Sequence, residues 1–194
     1  MEASLKIVVV GKNPSRVAVL ENGLREAGHV PVARIDESSH LLARIHAIDP
    51  DVILIDLENP SRDVLERTFE TTRALKRPIA MFVDESDADM IESAVDAGVS
   101  AYIVGDFRQE RIKSILDLAI SRFNAFSRLQ DELDRTRSAL EERKVIDRAK
   151  GILMNTKKLS EESAYALLRK AAMNENKKIV DVAQSVITAV ELFK

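Results

Sequence analysis

Between Gly105 and Gly151 the chain has neither glycine nor proline. A breaker-free run of that length, densely charged in both signs, predicts one long helix. Such a helix reads as a connector, with one folded part before it and another after it. Ile112, Leu116, Ala119, Phe123 and Phe126 follow one another at steps of four and three, the a/d rhythm of a coiled coil. Leu129, Leu133, Thr136 and Leu140 continue the rhythm after a second step of three, a local irregularity in the seam. A lone helix exposing these side chains is unfavourable in water, since each buried Leu or Phe is worth roughly 1.5–3 kcal/mol. Two remedies are open. The stripe pairs with a second chain in a parallel homodimer, with Ile112, Leu116, Ala119, Phe123, Phe126, Leu129, Leu133 and Leu140 as dimerisation residues, or it folds back on its own N-terminal half.

Before the connector, strand and helix patterns alternate. Residues 5–10, 51–57 and 78–83 are apolar runs of the kind buried on both faces of a parallel sheet. Residues 29–34 and 101–104 complete five strands. Asn13-Pro14 and Asn59-Pro60 are cap-and-N1 pairs that open helices. The first helix carries Val17, Leu20 and Leu24 and ends near Gly28. The second is marked by Leu41, Leu42, Ile45 and Ile48, and the fourth covers residues 87–97 and stops at Gly98. Five βα units imply an α/β fold, a parallel sheet with helices on both faces. Its usual site lies at the carboxyl ends of the strands, which here carry Gly11-Lys12, Asp56, Val83-Asp84 and Gly105.

After the connector, three helical stripes make a small all-α module. Ile146, Ala149, Leu153 and Met154 form the first, and Gly151 is expected to let a neighbouring helix approach. A turn at residues 156–159 precedes Ser160, an N-cap followed by Glu161 and Glu162. Ala164, Leu167, Leu168 and Ala171 form the second stripe. Residues 174–176 break the pattern, and Ile179, Val182, Ala183, Val186 and Val190 form the third. Charge is uneven along the chain. Residues 1–127 hold 15 Lys and Arg against 21 Asp and Glu, whereas residues 143–178 hold 10 against 4. A basic end on an acidic chain suits a polyanion partner, and equally a solvated helical surface. The candidate contacts are Arg143, Lys144, Arg148, Lys150, Lys157, Lys158, Arg169, Lys170, Lys177 and Lys178. Tyr165 either stacks on a base or edges the core.

The first half resembles a response-regulator receiver domain through IVVVGKNP, PDVILIDLENP, RPIAMFVD and DAGVSAYIV. The resemblance implies a (βα)5, flavodoxin-like domain in which Asp56 stands where the family carries its phospho-accepting aspartate. That chemistry also needs an acidic pair after strand one to hold Mg²⁺, a hydroxyl after strand four and a lysine after strand five. Those positions hold Gly11 and Lys12, Val83, and Gly105. A degenerate pocket of this kind implies a pseudo-receiver, with Lys12 expected to pair with Asp56 in the metal's place and phosphotransfer to Asp56 very poor. The last third resembles the ANTAR domain of the AmiR/NasT family through VIDRAKGILM, LSEESAYALLRKAAM and VAQSVI. That resemblance implies an RNA-binding antitermination regulator. Such a protein binds paired hairpins in nascent leader RNA as a homodimer and keeps a terminator from forming. In nitrate and nitrite assimilation it is held inactive by a NasS-like nitrate-sensing partner. Arg148, Lys150 and Arg169 lie within the matching motifs and are the favoured contacts. The expected boundaries are 1–121 for the receiver-like domain, 108–145 for the coiled-coil connector and 129–190 for the ANTAR domain.

Several classes are disfavoured. The chain has no cysteine, which excludes disulfides and thiolate metal sites. No signal peptide or membrane span is evident, so a cytoplasmic protein is expected. His29, His40 and His46 show no metal-binding spacing. No cofactor is expected, and an enzyme is the least favoured class. A DNA-binding or protein-interacting regulator is the competing reading. Against DNA, residues 179–193 are too apolar to serve as a recognition helix.

Overall fold

The computed structural model describes residues 5–35, 41–58, 60–105 and 108–192. The chain divides into two compact units, Met1–Ser127 and Arg128–Lys194. In the first, β1 (Ile7–Val10), β2 (Pro31–Ile35), β3 (Val52–Leu57), β4 (Ile79–Val83) and β5 (Ala101–Val104) form one parallel sheet in the order β2-β1-β3-β4-β5. Helices α1 (Pro14–Glu26), α2 (Leu41–Ile48), α3 (Arg62–Ala74) and α4 (Ala88–Asp96) connect the strands. β1, β3 and β4 are buried along their whole length, which is why they read as unbroken apolar runs. One face of the sheet packs on α2, α3 and α4 through Ile45, Leu65, Phe69, Met90 and Ala94. The other packs on α1 through Val17, Leu20 and Leu24.

That second face is completed by the start of α5 (Ile112–Lys157), a helix of 46 residues. Ile112, Leu116 and Ala119 are buried against the sheet together with Ile115. These three were named for a dimer seam, and for them the other remedy, folding back on the N-terminal half, is the one observed. They are the fifth covering helix of the βα unit, and the apolar rhythm reflects packing on a sheet. Phe123 is half-buried. From Phe126 onward the stripe is exposed.

Two local expectations also change. The third helix is capped by Ser61, whose side chain accepts from the Val64 amide, while Asn59 lies outside the described residues, as does His40. The turn after α5 is shorter than 156–159: the helix runs to Lys157, and Lys158 takes a left-handed conformation at φ 57°.

The second unit joins the end of α5 to α6 (Glu161–Glu175) and α7 (Ile179–Leu192). Ser160 caps α6 by accepting from the Ser163 amide. The break expected over 174–176 begins later, at Asn176, which closes α6 in the left-handed region at φ 52°, and runs through Lys178. The buried core is Ala149, Leu153, Ala164, Leu168, Ala172, Val182, Ala183 and Ile187. Half of these are alanines, so the helices meet at alanine rather than at glycine. A Cβ added to Gly151 would have no atom within 4 Å, which corrects the expectation of a close helix approach there. Met154 and Leu167, expected in the core stripes, are exposed instead.

Candidate receiver pocket and nucleic-acid interface

At the carboxyl end of β3, Asp56 is buried, with 1% of its side chain exposed. Its partner is Arg16 in the first turn of α1. Arg16 Nε donates to Oδ1 and Oδ2 of Asp56 at 2.9 and 3.0 Å, and Nη2 donates to Oδ1 at 2.7 Å. Nη1 of the same guanidinium donates to Asp84, just after β4. The sequence reading placed Lys12 on Asp56. Lys12 lines a cavity of about 230 Å³ beside Asp56 with Asn13, Glu58 and Ser61, but the planar fork that grips the carboxylate belongs to Arg16. The available signal was an arginine in the first turn of the helix after strand one, where a cation opposes the helix dipole.

Asn13 fixes this geometry. Its Oδ1 accepts from the amides of Ser15 and Arg16 at 3.0 and 3.4 Å, and its Nδ2 donates to Glu58 at 2.8 Å. The start of α1 is thereby tied to the residues that follow Asp56. Burial pushes the Asp56 carboxyl above the ordinary carboxylate range, and the hydrogen bonds and charge of Arg16 oppose that without cancelling it. Asp56 in turn holds the Arg16 guanidinium above its ordinary range.

The other expected pocket positions behave differently. A Cβ on Gly11 would lie 2.9 Å from Val17 Cγ2 and 3.3 Å from Asp56 Cβ, so the site has no room for a carboxylate there. Val83 is fully buried in the core that faces α2, α3 and α4 and does not line the cavity. Gly105 adopts φ 86° and donates its amide to the Val83 carbonyl at 2.8 Å. The residues present do not fit Mg²⁺: Arg16 covers the carboxylate, and the acidic pair that would join it is missing. Among the described residues no group of three or more His, Asp or Glu side chains is placed to hold a metal.

In the three-helix module the ten candidate cations fall into two sets. Five are engaged with acids. Lys150 is only 14% exposed and bridges Asp147 at 2.6 Å and Glu161 at 2.7 Å, joining α5 to α6. Its hydrogen bond to Asp147, then that to Glu161, hold its ammonium above the ordinary range. Arg148 pairs with Glu191 at 2.5 Å, Lys144 with Glu141 at 2.6 Å, Lys177 with Glu175 at 2.8 Å, and Arg143 more loosely with Asp147 at 3.8 Å. Lys157, Lys158, Arg169, Lys170 and Lys178 are exposed and have no acidic partner among the described residues. Of the three contacts favoured from sequence, only Arg169 belongs to this set. Tyr165 is 45% exposed. It lies four residues before Arg169 on α6 and so shares a face with it.

Comparison with known proteins places both units. Residues 7–117 match the response regulator receiver domain, and residues 134–187 match the ANTAR domain. The chain is 30% identical over 164 residues to the transcriptional regulatory protein PdtaR of Mycobacterium tuberculosis, covering 84% of this chain and 80% of that one. It is 35% identical over 82 residues to the nitrate regulatory protein of Klebsiella oxytoca, covering 42% of this chain and 21% of that one. The solved receiver domain of nitrogen regulatory protein C shares its fold at a TM-score of 0.51 and 26% identity, over 62% of this chain and 97% of that one. Among the described residues no helix is long and apolar enough to cross a membrane.

Proposed function

The chain belongs to the response regulators that join a receiver domain to an ANTAR domain, and from that premise we propose that it is an RNA-binding transcription antitermination regulator. ANTAR domains bind RNA, and both domain types are signalling modules without catalytic machinery. The observation that carries the proposal is the set of five exposed cations without acidic partners among the described residues, Lys157, Lys158, Arg169, Lys170 and Lys178, together with an exposed Tyr165 on the Arg169 face of α6. Hairpin loops offer phosphates to such cations and unstacked bases to an aromatic ring. In α7, Val182, Ala183 and Ile187 are consumed by the core, which leaves little for a DNA recognition helix and favours RNA.

In this reading the protein binds paired hairpins in nascent leader RNA, two ANTAR modules to two hairpins, and an overlapping terminator does not form. The genes are those of nitrate and nitrite assimilation, and a NasS-like nitrate-sensing partner holds the protein inactive. Control by capture fits a receiver whose aspartate is already occupied by an arginine. The test is binding to the two-hairpin leader transcript across a salt series, with and without the partner and nitrate. About four neutralised phosphates give a slope of log K against log salt near −3. Binding that ignores salt, or a folded protein that ignores every structured leader RNA, defeats the reading. RNA binding that the partner suppresses and nitrate does not restore leaves antitermination standing and removes the nitrate assignment.

A further inference from the structure

The receiver fold normally leaves its strand-end carboxylates to a divalent ion, and in this chain the charge at that place is covalently attached. One guanidinium makes three hydrogen bonds to Asp56 and a fourth to Asp84. It therefore ties the end of β3 directly to the segment after β4. Its position in the first turn of α1 is unfavourable for a cation, since no acid precedes it there and the helix dipole opposes it. The helix does not account for Arg16, whereas the two carboxylates do. Gly11 agrees independently, because a Cβ at that position would clash with Val17 Cγ2 at 2.9 Å and sit tightly on Asp56 Cβ at 3.3 Å. The segment held through Asp84 continues to Ser86, whose Oγ lies 3.1 Å from the Tyr102 hydroxyl in β5.

We propose that Arg16 is a tethered cation that permanently closes the Asp56 pocket, so that the link from β3 through Asp84 to Ser86 and Tyr102 is built into the fold rather than switched by metal or phosphoryl transfer. An arginine suits this work better than a lysine, because its planar fork satisfies both oxygens of one carboxylate and still reaches a second. The proposal does not rest on RNA recognition, and none of its measurements uses RNA, so the two can fail separately.

The experiment uses the full-length protein with amide and tyrosine-ring NMR, with Tyr165→Phe serving to assign the Tyr102 signals. In the wild type, titration to about 10 mM Mg²⁺ should leave the signals of residues 11–13, 56–58 and 84 in place. Arg16→Met should shift the Ser86 and Tyr102 signals and expose the carboxylates, so that Mg²⁺ then moves the signals around Asp56 saturably. Adding Asp84→Asn to that variant should abolish the Mg²⁺ response. Arg16→Lys keeps the charge and loses the fork, so it should shift Tyr102 even if the methionine variant fails to fold. Saturable Mg²⁺ shifts around Asp56 in the wild type overturn the proposal. So does an Arg16→Lys protein whose Ser86 and Tyr102 signals match the wild type.

Discussion

A carboxylate as buried as Asp56 persists in a fold only if its charge is compensated. Arg16 supplies that compensation, and its loss has a pH signature. Burial already sets the folded Asp56 above its ordinary value of 3.8, with Asp84 and Glu58 adding to the rise and Arg16 opposing it. Arg16→Met removes the main opposing group, so the folded pKa should climb further. A group whose folded value lies above its unfolded one takes up its proton in the folded state first. As pH falls through the folded value the group therefore adds to stability, and its penalty is full only above that value. The Arg16→Met protein should lose on the order of 3 kcal/mol at neutral pH, and the deficit should shrink as the pH is lowered. Chemical melts of both proteins along a pH series check this, and a deficit independent of pH removes the argument. At this scale the sequence was only partly legible. It located the pocket and its need for a cation. It chose Lys12 because adjacency in sequence carries no information about how far the Arg16 side chain reaches back. Lys150 was favoured as an RNA contact for its place in a motif. Its partner Asp147 is three residues away and visible in sequence, but Glu161 is brought to it only by the turn between α5 and α6.

Two glycines within helices separate what helix propensity says from what packing says. In α1, a Cβ on Gly23 would lie 2.5 Å from Ile112 Cγ1 and 2.8 Å from the Gln109 carbonyl oxygen. The 3-10 turn Gln109–Arg111 and the start of α5 press against the helix there. Gly23→Ala removes a helix-breaking residue and should still destabilise the receiver unit by about 1–3 kcal/mol through overpacking. Gly151 is the opposite case, a helical position with open space around it. Gly151→Ala should stabilise the protein by about 1 kcal/mol, and a loss in urea melts would show that a neighbour does press on Gly151. Neither glycine could be assigned from sequence, because a gap and a close contact leave the same letter. Elements were far more legible than their neighbours. All five strands and the four helices between them were legible, the three central strands as unbroken apolar runs, and their ends moved by a residue or two. Ile112, Leu116 and Ala119 were assigned to the wrong partner because a four-and-three rhythm marks an apolar face and says nothing of what covers it. A sheet and a second helix ask for the same spacing.

Beyond the receiver core, α5 carries Phe126, Leu129, Leu133 and Leu140 with 65, 66, 44 and 53% of each exposed. Phe126, Leu133 and Leu140 are seven residues apart and Leu129 stands at the d position between two of them, so the stretch keeps a regular heptad once the buried residues before it are set aside. On the same heptad Glu132 takes a g position and Arg137 the e position five residues on. In a parallel, in-register pair these two face each other across the seam with opposite charge, which an antiparallel pair would not offer. This favours a second copy of the chain as the cover, with two ANTAR modules delivered side by side. Leu133→Glu places a charge in the seam at an exposed position that belongs to none of the buried cores. Sedimentation should then show a dimer dissociation constant raised at least about tenfold. The consequence for RNA follows from linkage: joining two modules makes the second hairpin contact intramolecular, which strengthens overall binding by roughly 10²-fold or more. Leu133→Glu should therefore lose about that factor on a two-hairpin leader and bind an isolated hairpin as the wild type does. A wild type that stays monomeric at every concentration, alone and on the two-hairpin RNA, would exclude the dimer. Equal losses on one hairpin and two would mean that the substitution damages the ANTAR unit itself.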